Sequence, residues 1–385
     1  MKPKIVIALN TAWNLVNFRS GLICSLIERG YDVVAFAPPD KYFPQLVAMG
    51  CRYVPLPMDN KGTNPGRDLL LLFRFYHLLR QEKPVVFLGY TVKPNIYGSL
   101  AAHALGIPVV NNVAGLGAVF IKQNWLTSVV KSLYRLALSR STKVFFQNED
   151  DRKLFVNSSL VSTEHTDRVP GSGVDLIRFS FTPIQPAEGG QDSCFRFLLI
   201  ARMLWDKGVG EYVAAARMVK RRNPNVEFGL LGFLDVQNPA AISRHQMDEW
   251  INEGVVNYLG TSDDVRVQIA QSDCIVLPSY REGVPRTLLE AAAMGRPIIA
   301  TDAVGCRDVV DNGINGYLCQ LRDVDDLAEK MERMIMLTHV ERCEMGKKGR
   351  EKVEREFDEN IVINKYLETI TSVITPSSKV HSIGT

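Results

Sequence analysis

Short runs of five to seven mainly apolar residues recur along this chain, each followed by a longer stretch of helical periodicity. "KIVIAL", "DVVAFA", "VVFLG", "PVVNN" and "KVFFQ" lie in the first half; "RFLLIA", "VEFGLLG", "CIVLP" and "PIIATD" lie in the second. Runs apolar at nearly every position need cover on both faces, the condition of a strand in a parallel sheet with crossover helices on either side. The alternation predicts an α/β chain of two Rossmann-like, doubly wound domains.

Length agrees, since 385 residues exceed one comfortable core at roughly 150 residues per domain. The periodicity lapses at "IRFSFTPIQPAEGGQDS", rich in Pro, Gly, Ser and Gln, so a linker is expected at 177–194 between domains spanning 1–176 and 195–358. A last amphipathic segment, 359–375, is assigned to the first domain, and "TPSSKVHSIGT" reads as a frayed tail.

Other classes fall away. The seven cysteines are scattered without a CxxC pair, which favours neither a zinc knuckle nor a disulfide framework and suggests a reducing cytoplasm. No apolar run approaches the roughly 18 residues of a membrane span, and the apolar part of "MKPKIVIALN" is shorter than a signal h-region. No G-x-G-x-x-G is present, which argues against a nicotinamide dehydrogenase. Residues 1–190 hold 21 Lys/Arg against 13 Asp/Glu, leaving 24 against 29 for the remainder. The first half is thus the one suited to an anionic partner, although solvated surface charge explains the imbalance equally well.

Ligands of doubly wound domains bind at the carboxyl ends of the strands, so the loops after strands carry the chemistry. After "RFLLIA", Arg202 and Lys207 precede a helix start, and two cations beside a helix N-terminus suit a diphosphate. Ordinary surface charge on a strand–helix turn is the alternative. After "CIVLP" comes "SYREGVPRTLLEAAAMG": Glu282 sits in the turn, and Glu290 is placed in the first turn of the next helix, where a carboxylate can accept two vicinal hydroxyls of a ribose. The amides of Gly283, Val284, Arg286 and Thr287 are available to phosphate oxygens; Pro285 has none to offer.

The combination of Arg202 with Lys207-Gly208, then "LPSYREGVPRTLLEAAAMGRPIIATD", then "NGYL" resembles the donor domain of glycosyltransferase family 4, retaining enzymes of GT-B fold that use nucleotide-diphosphate sugars. The resemblance covers 195–358. It implies a GT-B architecture with the two domains facing a central cleft. It further implies that Glu282 meets hydroxyls of the transferred sugar, Glu290 holds the ribose, Arg202 and Lys207 neutralise the diphosphate, and Leu259, Gly260 and Thr261 lie near the base. Glu282, Arg202 and Lys207 are the expected catalytic group.

In the first half the Gly-Gly loop common in the family is missing from "ALNTAWNLVNFRSGL". The segments "NFRSGL", "GYTVKPNIYGSLAA" and "NNVAGLGAVF" instead resemble bacterial members that elongate undecaprenyl-diphosphate-linked sugars. That likeness nominates Asn17, Arg19, Lys93, Asn95, Gly115 and Gly117 as acceptor contacts. The expected partners are a UDP-sugar, a polyprenyl-diphosphate-linked saccharide and an anionic membrane surface, with no nucleic acid, and the expected location is peripheral on the inner face of the cell membrane. Helix 125–140, with Lys131 and Arg135 on one face, could lie on such a surface or simply cover the sheet. No cofactor or metal is expected, since two cations and a helix dipole already cover the diphosphate; Asp323 and Asp325 open a helix, as do Asp263 and Asp264, where acids commonly cap. A nucleotide-sugar epimerase or hydrolase, and a non-catalytic nucleotide-sugar-binding subunit, are the rival readings.

Overall fold

The computed structural model describes residues 2–59, 62, 64–115, 125–185, 194–236 and 238–375. The chain divides into two compact units, Met1–Ser172 with Asn360–Thr385, and Gly173–Glu359.

The first unit's strands are β1 (Lys4–Ala8), β2 (Asp32–Ala37), β3 (Arg52–Pro55), β4 (Val86–Tyr90), β5 (Val109–Val113), β6 (Lys143–Phe146) and β7 (Thr166–Arg168). They form one sheet in the order β3-β2-β1-β4-β5-β6-β7, parallel throughout. Between them run helices α1 (Ala12–Glu28), α2 (Phe43–Ala48), α3 (Pro65–Glu82), α4 (Ser99–Ala104), α5 (Trp125–Leu138) and α6 (Glu149–Asn157). Alternation along β1 sends Ile5 and Ile7 into one core and Val6 and Ala8 into the other, so both faces of the sheet are dry.

The second unit repeats the plan. Its strands are β8 (Phe195–Ile200), β9 (Val226–Leu231), β10 (Asn257–Tyr258), β11 (Cys274–Leu277), β12 (Ile298–Thr301) and β13 (Gly316–Cys319), ordered β10-β9-β8-β11-β12-β13 and parallel. Its helices are α7 (Val209–Arg222), α8 (Arg244–Asn252), α9 (Arg266–Ala270), α10 (Arg286–Ala293), α11 (Val324–Met336) and α12 (His339–Glu356). The order reverses at β8, whose two neighbours are β9 and β11, and this is the switch point at which such sheets bind ligands.

Helix α13 (Glu359–Ile374) belongs to the first unit: Val362, Ile363, Tyr366, Leu367 and Ile370 fall on one face and enter the core with β1 and α1. The expected linker begins inside the second unit. Phe179 is buried there with Val174, and the Phe179 carbonyl accepts from Arg350 at 3.0 Å. Arg296, also buried, donates to the carbonyls of Thr182, Ile269, Ala270 and Met294 at 2.6, 3.0, 2.8 and 3.1 Å. Pro and Gly content suggested a linker, but fixed carbonyls and one buried ring hold the described part of the segment to the core.

Candidate functional site

In the second unit the loops after β8 and β11 are laced together. The Tyr280 amide donates to the Asp206 carbonyl at 3.0 Å and the Ser279 hydroxyl to the same oxygen at 3.3 Å. Gly208, at φ +71°, ends the short 3₁₀ turn Trp205–Lys207 and starts α7; a Cβ there would fall 2.0 Å from the Pro278 carbonyl oxygen. Only glycine lets the two loops approach so closely. The result is that Lys207 Nζ donates directly to Glu282 Oε1, with both side chains largely shielded from solvent. Arg202 lies just beyond the end of β8 and is exposed.

Glu282 is fixed from behind as well. Its amide donates to the Val304 carbonyl at 3.0 Å, and a Cβ on Gly305, at φ +82°, would lie 2.4 Å from the Gly283 oxygen. Pro285 is the N-cap of α10, and helical hydrogen bonding begins at the Leu288 amide, which donates to Pro285. Gly283, Val284, Arg286 and Thr287 therefore lie at the start of α10, where the dipole favours anions.

Glu290 is one turn deeper than expected: α10 starts at Arg286, so Glu290 lies in its second turn, where Arg286 Nε donates to it at 3.0 Å. Burial pushes its carboxyl pKa upward and the Arg286 guanidinium opposes that shift. Leu259, Gly260 and Thr261 follow β10; the Gly232 amide donates to the Gly260 carbonyl at 2.8 Å and Leu259 is half-exposed. The expected donor residues thus all stand at the carboxyl edge of one sheet.

Three further groups support this edge. The Tyr280 hydroxyl donates to Glu211 on α7 at 2.6 Å, while the Arg322 guanidinium lies 4.3 Å over the Tyr280 ring. Burial, with Glu211 beside it, pushes the Tyr280 hydroxyl up to about 12. Sequence reasoning overlooked Glu211 and Arg322 because their partner is reached only through the fold; Tyr280, two residues before Glu282, was within reach. The acidic pairs act locally: Asp323 caps α11 through the Asp326 amide at 2.9 Å, and Asp264 binds Arg266. Among the described residues no cluster of three or more His, Cys, Asp or Glu is placed to hold a metal.

In the first unit the acceptor residues scatter in role. Arg19, on α1, is 5% exposed and packs 4.4 Å over the Tyr90 ring at the end of β4. Among the described residues neither its Nε nor Asn112 Oδ1 has a hydrogen-bond partner. Lys93 Nζ binds Asp68 of α3 at 2.6 Å, and Tyr97 donates to the other Asp68 oxygen at 3.0 Å. Gly115 follows β5, and Gly117 lies outside the described residues.

One acceptor assignment is corrected. Asn95 is fully buried; it donates to the Asn112 carbonyl at 2.8 Å and accepts from Asn111 at 3.0 Å, so its amide ties the turn after β4 to β5 and is enclosed away from any ligand. Asn17 donates to its own helix at the Trp13 carbonyl, 2.9 Å away. Helix α5 takes the sheet-covering alternative: Tyr134, Ala137 and Leu138 are buried, and Arg135 is tied to the carbonyls of Ser159 and Ser158 at 3.0 and 3.2 Å.

Solved structures share this pair of doubly wound units, and the fold they define is GT-B. Sucrose-phosphate synthase from Thermosynechococcus elongatus matches with a TM-score of 0.78 at 18% identity, over 97% of this chain and 99% of that one. Anabaena Alr3699/HepE, solved in complex with UDP and glucose, matches at 0.76 and 16%, over 96% and 100%.

By sequence, residues 18–171 match the glycosyl transferase 4-like domain model and residues 194–336 the glycosyl transferases group 1 model, so the chain belongs to this glycosyltransferase family. Among its relatives is the Campylobacter jejuni N,N'-diacetylbacillosaminyl-diphospho-undecaprenol alpha-1,3-N-acetylgalactosaminyltransferase, 29% identical over 94% of this chain and 96% of the relative. Another is the Escherichia coli UDP-Gal:alpha-D-GlcNAc-diphosphoundecaprenol alpha-1,3-galactosyltransferase, 27% identical over 70% of each chain.

Proposed function

We propose that this glycosyltransferase moves a hexose or N-acetylhexosamine, with retention, from a UDP-sugar to an undecaprenyl-diphosphate-linked saccharide in bacterial surface polysaccharide or protein glycan assembly. The observation that carries the donor half is the Lys207–Glu282 ion pair at the carboxyl edge of the second sheet, with Arg202 after the same strand and Arg286–Glu290 behind it. The pair holds both groups ready: an arriving diphosphate takes Lys207 and Arg202, which leaves the Glu282 carboxylate to accept hydroxyls of the sugar. Glu290 accepts from the ribose, and the loop Leu259–Gly260–Thr261 lines the base.

In the transfer the acceptor hydroxyl oxygen bonds to the anomeric carbon on the face from which the diphosphate leaves. The electron pair of the broken bond stays on the diphosphate oxygen, which also takes the hydroxyl proton. Lys207, Arg202 and the α10 terminus stabilise the charge that grows there. Retention is supported by the Escherichia coli relative's name: an alpha-1,3 linkage made from UDP-Gal, an alpha-configured donor, keeps the configuration. Both relatives' names support a polyprenyl-diphosphate acceptor; in this reading the first unit receives it through Arg19, Lys93 and the backbone at Gly115, on the inner face of an anionic membrane.

The test is nucleoside diphosphate release by purified protein across UDP- and GDP-sugars, with and without a polyprenyl-diphosphate-linked saccharide, and with the product's anomeric configuration read by NMR. Acceptor-dependent UDP release, an alpha product and full activity in EDTA are expected. Donor turnover without acceptor would identify an epimerase or hydrolase instead, and a strict Mg²⁺ or Mn²⁺ requirement would overturn the charge assignment.

A further inference from the structure

Helix α3 is apolar on two sides. Leu71, Phe75 and Leu79 are buried against β1, β2 and β4, as a sheet-covering helix requires. On the opposite side Leu69, Leu70 and Phe73 are 53%, 49% and 61% exposed, at helical spacing that makes one patch. Arg67, Arg74, His77 and Arg80 are exposed around it. The helix has two acids, and neither faces out: Asp68 holds Lys93 and Tyr97, and Glu82 holds Lys4 and Arg52. Asp59 reaches Arg67 at 3.4 Å, while Arg74 also donates to the Pro57 carbonyl at 3.0 Å, which leaves its charge uncompensated.

We infer that this face of α3 docks the first unit on an anionic lipid bilayer. Large apolar side chains rimmed by arginines, with acids withheld, match the acyl boundary and headgroup charge of such a surface. The position fits the acceptor reading, on which the inference rests: Asp68 ties the helix to Lys93 and Tyr97, directly after β4, and half-exposed Val92 sits between that strand and Lys93. A lipid-held diphosphate reaching Lys93 would bring its membrane to the same side. Helix α5, the other candidate for this purpose, has Arg135 of its basic face tied to the carbonyls of Ser158 and Ser159.

The experiment is co-sedimentation of the full chain with phosphatidylcholine vesicles and with vesicles containing phosphatidylglycerol, both free of polyprenyl lipid. Wild type is expected to pellet with the anionic vesicles at low salt. Leu69→Ser/Leu70→Ser/Phe73→Ser and, separately, Arg74→Glu/Arg80→Glu are expected to lower the partition coefficient at least about 10-fold, since each well-placed cation contributes roughly 1 kcal/mol. Lys131→Glu on α5 should pellet as wild type. Unchanged circular dichroism and unchanged transfer to a short-chain soluble acceptor show the variants folded. Pelleting of both multiple variants like wild type overturns the inference, as does wild type that stays in solution. So does a wild-type dimer made monomeric by the serine variant, which would assign the patch to a second copy. Because no acceptor is present, failure here is distinguishable from failure of the acceptor reading, which the transfer assay alone decides.

Discussion

The Lys207–Glu282 contact is the residue-level feature on which the chemistry turns. On the proposed reading, replacing Lys207 by Ala removes a cation from the developing diphosphate charge and the Lys207 contact from Glu282. Turnover of Lys207→Ala and of Arg202→Ala is each expected to fall about 100-fold, because a lost contact to transition-state charge costs about 3 kcal/mol. Near-normal kcat/KM in both would dismiss the assignment. Asp264 offers a pH test near the base loop. Its hydrogen bonds to Arg266 lower its pKa from 3.8 to about 2. A carboxyl depressed in the folded state stabilises it above the ordinary pKa, and that contribution disappears as pH falls through about 2. Urea midpoints of Asp264→Asn should therefore fall below wild type at pH 5 and converge with it near pH 2.

At the scale of elements, position is set by a few buried polar groups that bind one element's end to another's. Arg296 stands just before β12 and gathers carbonyls from the end of α9, the end of α10 and Thr182. In Arg296→Met the acceptors stay buried with no donor, and the loss is expected to be about 3 kcal/mol or more. Chemical denaturation followed by fluorescence checks this; an unchanged midpoint would mean that water replaces the guanidinium. Strand and helix order was legible from apolar runs and turn residues. The second-turn placement of Glu290 was not, because Pro285 capping α10 decides where the helix begins, and boundaries depend on caps more than on periodicity.

For the whole molecule, the chain's return to its first unit is the feature with the largest consequence. Tyr366 of α13 stacks on Tyr90 with centroids 5.9 Å apart and accepts a hydrogen bond from Asn112 at 3.0 Å, so β4 and β5 are finished by residues more than 250 positions later. A chain ended after Asp358 should lose the first unit while keeping the second. Limited proteolysis is expected to digest residues before Gly173 and leave a resistant fragment beyond it; equal resistance of both halves would show that α13 is dispensable.

What the sequence determined by itself is the class of architecture and the loops that carry the polar residues of the second unit. Short apolar runs bounded by turn residues and alternating with amphipathic stretches read as buried strands, and Arg202, Lys207 and Glu282 follow strands, with Glu290 on the helix after them. Tertiary structure decided what each polar side chain is committed to. Asn95 looks like a ligand group in sequence, yet it is fully buried against β5, and Arg135 looks like a free surface cation, yet it donates to the carbonyls that follow α6. Leu69, Leu70 and Phe73 look like core, yet the helix has already covered its sheet with its other face. Sequence records which groups are present, whereas packing decides which remain available, since a polar or apolar side chain can satisfy only one environment at a time.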